Sequence, residues 1–136
     1  MTIDGFDTHS NQAEPHANLL GDVGNAIELL FNSLADPDKK RVLLMTYSEF
    51  GRRAKENGSK GTDHGAASSL FVAGPAVKPG ALGTYPSLGD LDDGDLKFTM
   101  DFRRLYATLL DQWLGVDSRT VLGAKFEHVD LLAKKQ

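Results

Sequence analysis

The spacing of apolar residues changes several times along this chain, and each change marks an element. From Leu19 onward, Leu19, Leu20, Val23, Ile27, Leu30, Phe31 and Leu34 follow the spacing of three and four that puts them on one face of an amphipathic helix. Ser10 or Asn11 stands where a helix cap is expected, and Asp36-Pro37 marks the stop. The next apolar run, Arg41 to Tyr47, has no helical period and reads as a strand buried on both faces, as in a parallel sheet. Lys55 to Gly65 is polar and glycine-rich and reads as a loop, followed by a short strand from Ser69 to Ala73 that ends at Gly74-Pro75.

Lys78 to Asp95 is rich in glycine and proline and reads as a surface excursion, with Asp93-Gly94 as the turn of a small hairpin before Leu96-Lys97-Phe98. A helix is predicted from about Thr99 to Leu114, ending at Gly115. Its stripe of Phe102, Leu105, Tyr106, Leu109, Leu110 and Trp113 is assigned to the core. Ser118 to Phe126 reads as a further helical turn, ahead of a polar tail of Lys134, Lys135 and Gln136. There is no internal repeat.

Composition narrows the class without naming it. A length of 136 residues with 40% apolar content fits one globular domain spanning the whole chain, 1–136. The net charge of -4, with lysine and arginine dispersed, gives no nucleic-acid footprint, while the local run Arg52, Arg53 and Lys55 suits a small anion. The absence of cysteine excludes disulfides and thiolate metal ligands but leaves the redox compartment open. No apolar stretch approaches the roughly eighteen residues of a membrane span, and the N-terminus has no basic or hydrophobic export signal. Localisation is left undecided.

Candidate chemistry concentrates in three short motifs: Asp7-Thr8-His9, Ser48-Glu49-Phe50-Gly51-Arg52 and Gly61-Thr62-Asp63-His64-Gly65. Asp7, His9, Glu49, Asp63 and His64 supply imidazole nitrogen and carboxylate oxygen, the donors that zinc accepts in a compact shell and that harder ions accept with a larger share of oxygen. Glu49 falls just past the C-terminal end of the predicted strand, where open α/β sheets bind ligands. The flanking glycines allow a sharp turn that aims Asp63 and His64 at neighbouring positions. The residues also permit a plainer reading, with a capping turn at Asp7 to His9, Glu49 paired to Arg52 or Arg53, and a solvated loop at Asp63-His64. His16 is read as a surface residue, His128 as unrelated to the site, and Arg103 as bonding Asp101 or capping a loop.

The order of these motifs resembles the C-terminal portion of the DUF1501 family, bacterial proteins of uncharacterised function placed near the alkaline-phosphatase and sulfatase superfamily. Gly5 to Gln12, Ser48 to Arg52, Asn57-Gly58, Gly61 to Gly65, Asp101-Phe102-Arg103 and Trp113-Leu114-Gly115 carry the resemblance. It implies an α/β fold: part of an alkaline-phosphatase-like three-layer sandwich with a mostly parallel sheet, lacking the N-terminal part that holds the nucleophile and the first metal-binding aspartate. It further implies a divalent cation, zinc first and manganese or calcium after it, with Asp7, His9, Glu49, Asp63 and His64 as ligands. Phe50 departs from the superfamily pattern by standing where a histidine is expected. Full-length members commonly carry an export signal.

Three functions from different classes follow. The first is the metal-binding part of a phosphoric- or sulfuric-ester hydrolase, with Arg52 holding a small anionic ester in the catalytic site. The second is a non-catalytic fragment that keeps a metal or anion pocket. In the third, a structural subdomain buries its apolar helix faces against a missing segment or another copy of itself.

Overall fold

The computed structural model describes residues 1–133, so the predicted tail of Lys134, Lys135 and Gln136 lies outside the described residues. The chain forms two compact units, Met1–Pro75 with Pro86–Lys97, and Ala76–Tyr85 with Phe98–Gln136.

In the first unit the predicted helix forms as α1, Ala13–Ser33, beginning six residues before its apolar stripe. Neither Ser10 nor Asn11 caps it. Gln12 occupies the cap position in helical geometry and makes no side-chain cap bond. Instead, its amide donates to the Thr8 hydroxyl at 2.7 Å and accepts from the Thr62 hydroxyl at 3.2 Å, so the helix start is tied to two other segments. No residue of α1 is buried, and Leu20 is 41% exposed on the predicted apolar face. Asp36-Pro37 ends one helix and also begins another: α2, Asp36–Lys39, carries the proline in its first turn, where a missing N–H breaks no bond.

The predicted strand over Arg41 to Tyr47 narrows to β1, Leu44–Met45, which pairs with β4, Val72–Ala73, within the second predicted strand. This pairing is antiparallel where the sequence suggested a parallel sheet, and the side chains of β1 are only half-buried. Two further strands, β2 (Gly51–Glu56) and β3 (Thr62–Gly65), form an antiparallel hairpin across the stretch predicted as loop. Main-chain hydrogen bonds from Asn57 to Gly61 and from Lys60 to Asn57 close its turn.

The hairpin predicted at Asp93-Gly94 is present as β5, Leu91–Asp92, and β6, Asp95–Leu96. Both turn residues have positive φ, 48° and 78°, the type I′ geometry that matches the twist of the strands. All three two-stranded sheets among the described residues are antiparallel.

In the second unit the long predicted helix divides into α3, Phe102–Thr108, and a wider π-helical turn, Leu109–Leu114, which Gly115 closes in the left-handed region. Asp101 caps α3 by accepting from the Arg103 N–H, and its side chain also pairs with the Arg103 guanidinium, the bond to Asp101 that was expected of Arg103. The core differs from the predicted stripe. Leu105, Ala107 and Thr108 are buried, whereas Phe102 is 53% exposed. Val129 and Leu131 of the C-terminal segment are also buried, and the Val129 N–H donates to the Thr108 hydroxyl at 2.9 Å. The short helix α4, Ser118–Leu122, occupies part of the predicted final turn.

Candidate metal centre

Asp7 and His9 lie in the segment that leads into α1, and both side chains are exposed. Thr8, between them, is buried, and its carbonyl accepts from the Thr62 N–H of β3 at 3.3 Å. Asp7 and His9 therefore share the outward side. His64 reaches the same place from β3, opposite Arg52 of β2 in the ladder. Directly paired residues of antiparallel strands share a face, which puts Arg52 beside this group as well.

Asp7, His9 and His64 bring their ligand atoms into a nearly equilateral triangle. The Asp7 Oδ1 stands 3.0 Å from each Nε2, and the two Nε2 atoms stand 3.1 Å apart. Bonds of about 2.0–2.1 Å to a common ion, at angles between a right angle and the tetrahedral value, separate donors by about 2.9–3.4 Å. The donor set and its spacing thus fit a zinc-sized cation. Two imidazole nitrogens facing each other this closely need a proton or a cation between their lone pairs.

Three further side chains orient the triangle. The Arg52 guanidinium donates to the Asp7 Oδ1 at 2.7 Å, to the Phe6 carbonyl at 2.7 Å and to the Thr62 carbonyl at 2.8 Å. Phe50 stacks on His64, with ring centroids 3.7 Å apart and planes 12° from parallel. Asp63 accepts from the other nitrogen of His9, Nδ1, at 3.4 Å, and from the Asn57 amide at 3.2 Å. Hydrogen bonding from His64, followed by that from Arg52, holds the Asp7 carboxyl below the ordinary carboxylate value. Asn57, followed by His9, does the same for Asp63.

Five candidate ligands were read from the sequence, and three of them converge. Asp63 touches His9 on the side away from the triangle, the position of a carboxylate that orients a ligating histidine. Glu49 is exposed and stands outside the group, and Arg52 pairs with Asp7 instead of Glu49. Of the glycines around Asp63-His64, Gly61 closes the hairpin turn and Gly65 ends β3, and both allow close main-chain approach. A Cβ on Gly61 would lie 2.2 Å from the carbonyl carbon of His9, and one on Gly65 would lie 2.6 Å from that of Arg52. His16 packs edge-on against Phe6, and His128 pairs with Asp111 in the second unit. Asn57 carried no candidate role, although it stands in one of the matching motifs; an asparagine beside a glycine signals a turn and nothing more specific.

No described helix is long and apolar enough to cross a membrane. No curated protein and no solved structure matches the chain. A family model described as "Protein of unknown function (DUF1501)" matches residues 1–128, and it spans all three motifs of the centre. The chain belongs to the DUF1501 family.

Proposed function

We propose that this chain carries the metal-binding part of a hydrolase-like domain acting on small phosphoric or sulfuric esters. The single observation that carries the reading is the triangle of Asp7 Oδ1, His9 Nε2 and His64 Nε2. Two imidazoles and one carboxylate favour zinc, with manganese as the harder alternative, and disfavour calcium, which takes oxygen ligands throughout. A cation bound there would supply Lewis-acid polarisation of an ester oxygen. Asp7 and the two histidines would hold it, while Asp63 bonds the His9 ring and Phe50 stacks on that of His64. Arg52 holds Asp7; with both terminal nitrogens engaged, it offers no free fork to an ester anion.

That engagement of Arg52 favours a second reading, in which the pocket binds a metal without turnover. The proposed fold context is the C-terminal portion of an alkaline-phosphatase-like sandwich. Its support is the half-buried state of β1 and β4 and the absence of any buried residue in α1, both of which suit elements that pack against further layers.

Metal content and turnover separate these readings. Elemental analysis of the purified chain is expected to find about one zinc or manganese per chain, as a three-ligand site with an open position requires, and His64→Ala is expected to lose it. Unchanged stoichiometry in that variant would sink the metal assignment. Turnover of aryl phosphate or aryl sulfate esters by the loaded chain supports the hydrolase, and metal binding without turnover supports the pocket.

A further inference from the structure

We infer that Asn57 is the positioning residue of this centre, acting through His9. The inference rests on the metal-centre reading and adds a residue to it. Asn57 ends the β2 side of the hairpin turn, and its side-chain amide is half-buried with every hydrogen-bonding position filled. Its Oδ1 accepts from the Ser59 N–H at 2.9 Å and the Gly61 N–H at 3.1 Å. Its Nδ2 donates to the His9 carbonyl at 3.0 Å and to the Asp63 Oδ1 at 3.2 Å. Two donors and two acceptances exhaust what a primary amide can do.

The two ends of this amide have separable tasks. The oxygen shapes the turn. The nitrogen reaches His9 twice, once at its main chain and once through Asp63, which accepts from His9 Nδ1. A proton fixed on Nδ1 leaves Nε2 with its lone pair toward Asp7 Oδ1 and His64 Nε2, the state a metal ligand needs. Arg52 anchors the carboxylate corner of the triangle, and Asn57 sets the tautomer and placement of one imidazole corner. Only asparagine at this position accepts from two N–H groups with one end while donating to a carbonyl and a carboxylate with the other; aspartate retains the first task and loses the second.

The test compares Asn57→Asp and Asp63→Asn with the full wild-type chain. Ring-nitrogen NMR on chelator-treated protein at mildly alkaline pH reads the His9 tautomer, and chelator competition reads zinc affinity. The expected result is a His9 held as the Nδ1–H form in wild type, with that form depleted in both variants. Zinc affinity should fall about 10–100-fold in each, the usual loss on removing an outer-shell partner. Thermal melting in chelator, close to wild type, confirms that the turn survives. If the folded variants keep both the His9 tautomer and the zinc affinity, the positioning role is overturned while the metal centre stands. If wild type binds no zinc yet the tautomer shifts as described, the metal centre fails and the control of His9 by Asn57 survives.

Discussion

Arg52 and Asp7 form an ion pair of 2.7 Å in which the cation also bonds two main-chain carbonyls, those of Phe6 and Thr62. The pair therefore joins the N-terminal segment to the β2–β3 hairpin, the two pieces that must meet for His9 and His64 to face each other. The Arg52 side chain is only 19% exposed, while Asp7 is 57% exposed, so the pair is sheltered on the arginine side.

Replacing Arg52 by lysine keeps the charge but removes the planar fork that reaches three acceptors at once. Arg52→Lys is expected to weaken zinc binding about 10-fold and Arg52→Met about 100-fold, the range typical of outer-shell losses. Chelator competition measures both. Equal affinity in all three proteins would show that Asp7 needs no such support.

Gly61 leaves no room for a side chain because its would-be Cβ meets the carbonyl carbon and oxygen of His9 at 2.2 and 2.4 Å. Main chain cannot rotate away as a side-chain tip can. Gly61→Ala is expected to cost about 1–3 kcal/mol, as overpacking does, and to abolish zinc binding by displacing His9. Urea denaturation and metal content check the two halves of this expectation.

Asp111 accepts from His128 at 2.6 Å and from the Ser118 N–H and hydroxyl at 2.7 and 2.9 Å. The hydrogen bond from His128, followed by that from the Ser118 N–H, holds its carboxyl below the ordinary value. Because the folded value lies below the unfolded one, the stabilisation is full above the ordinary carboxylate range and is lost as pH falls through the depressed folded value. Asp111→Asn should therefore lower Tm near neutral pH, and its gap from wild type should close toward strongly acidic pH. A gap that stays constant across a pH series of melting curves would contradict this.

Thr108 is fully buried, donates to the Arg104 carbonyl at 2.8 Å and accepts from the Val129 N–H at 2.9 Å. Thr108→Val keeps the shape and strands the buried Val129 N–H, at an expected cost of about 1–3 kcal/mol. Thr108→Ser restores the acceptor and should recover most of that loss. Chemical denaturation of the three proteins gives the comparison.

The elements that could be read in the sequence were those whose pattern is local. The Leu19 to Leu34 spacing gave α1, the positive-φ preference of Asp93-Gly94 gave its hairpin, and Gly115 gave the end of the second long helix. The β2–β3 hairpin was missed because Arg52 to Glu56 and Thr62 to Gly65 bear few apolar side chains. Their pairing is made by main-chain hydrogen bonds, which leave no mark on hydrophobic periodicity. Phe102 was assigned to the core by its place on the stripe. Which part of a stripe is buried depends on what arrives against it, and here Leu105, Ala107 and Thr108 are buried, with the Val129 N–H bonded to Thr108.

By itself, the sequence determined the chemical types available to the centre, the family of the chain and the helices whose periodicity is written in consecutive residues. Tertiary structure alone decided which candidates meet. Asp7 and His64 are 57 positions apart, and their atoms come to 3.0 Å where the N-terminal segment meets β3 through the Thr62 N–H and the Thr8 carbonyl, with Arg52 opposite His64. The same meeting sets Asp63 against His9 Nδ1 and leaves Glu49 outside the group. Donor chemistry belongs to each residue separately, whereas coordination geometry depends on distances between distant segments, and those exist only once the chain has folded.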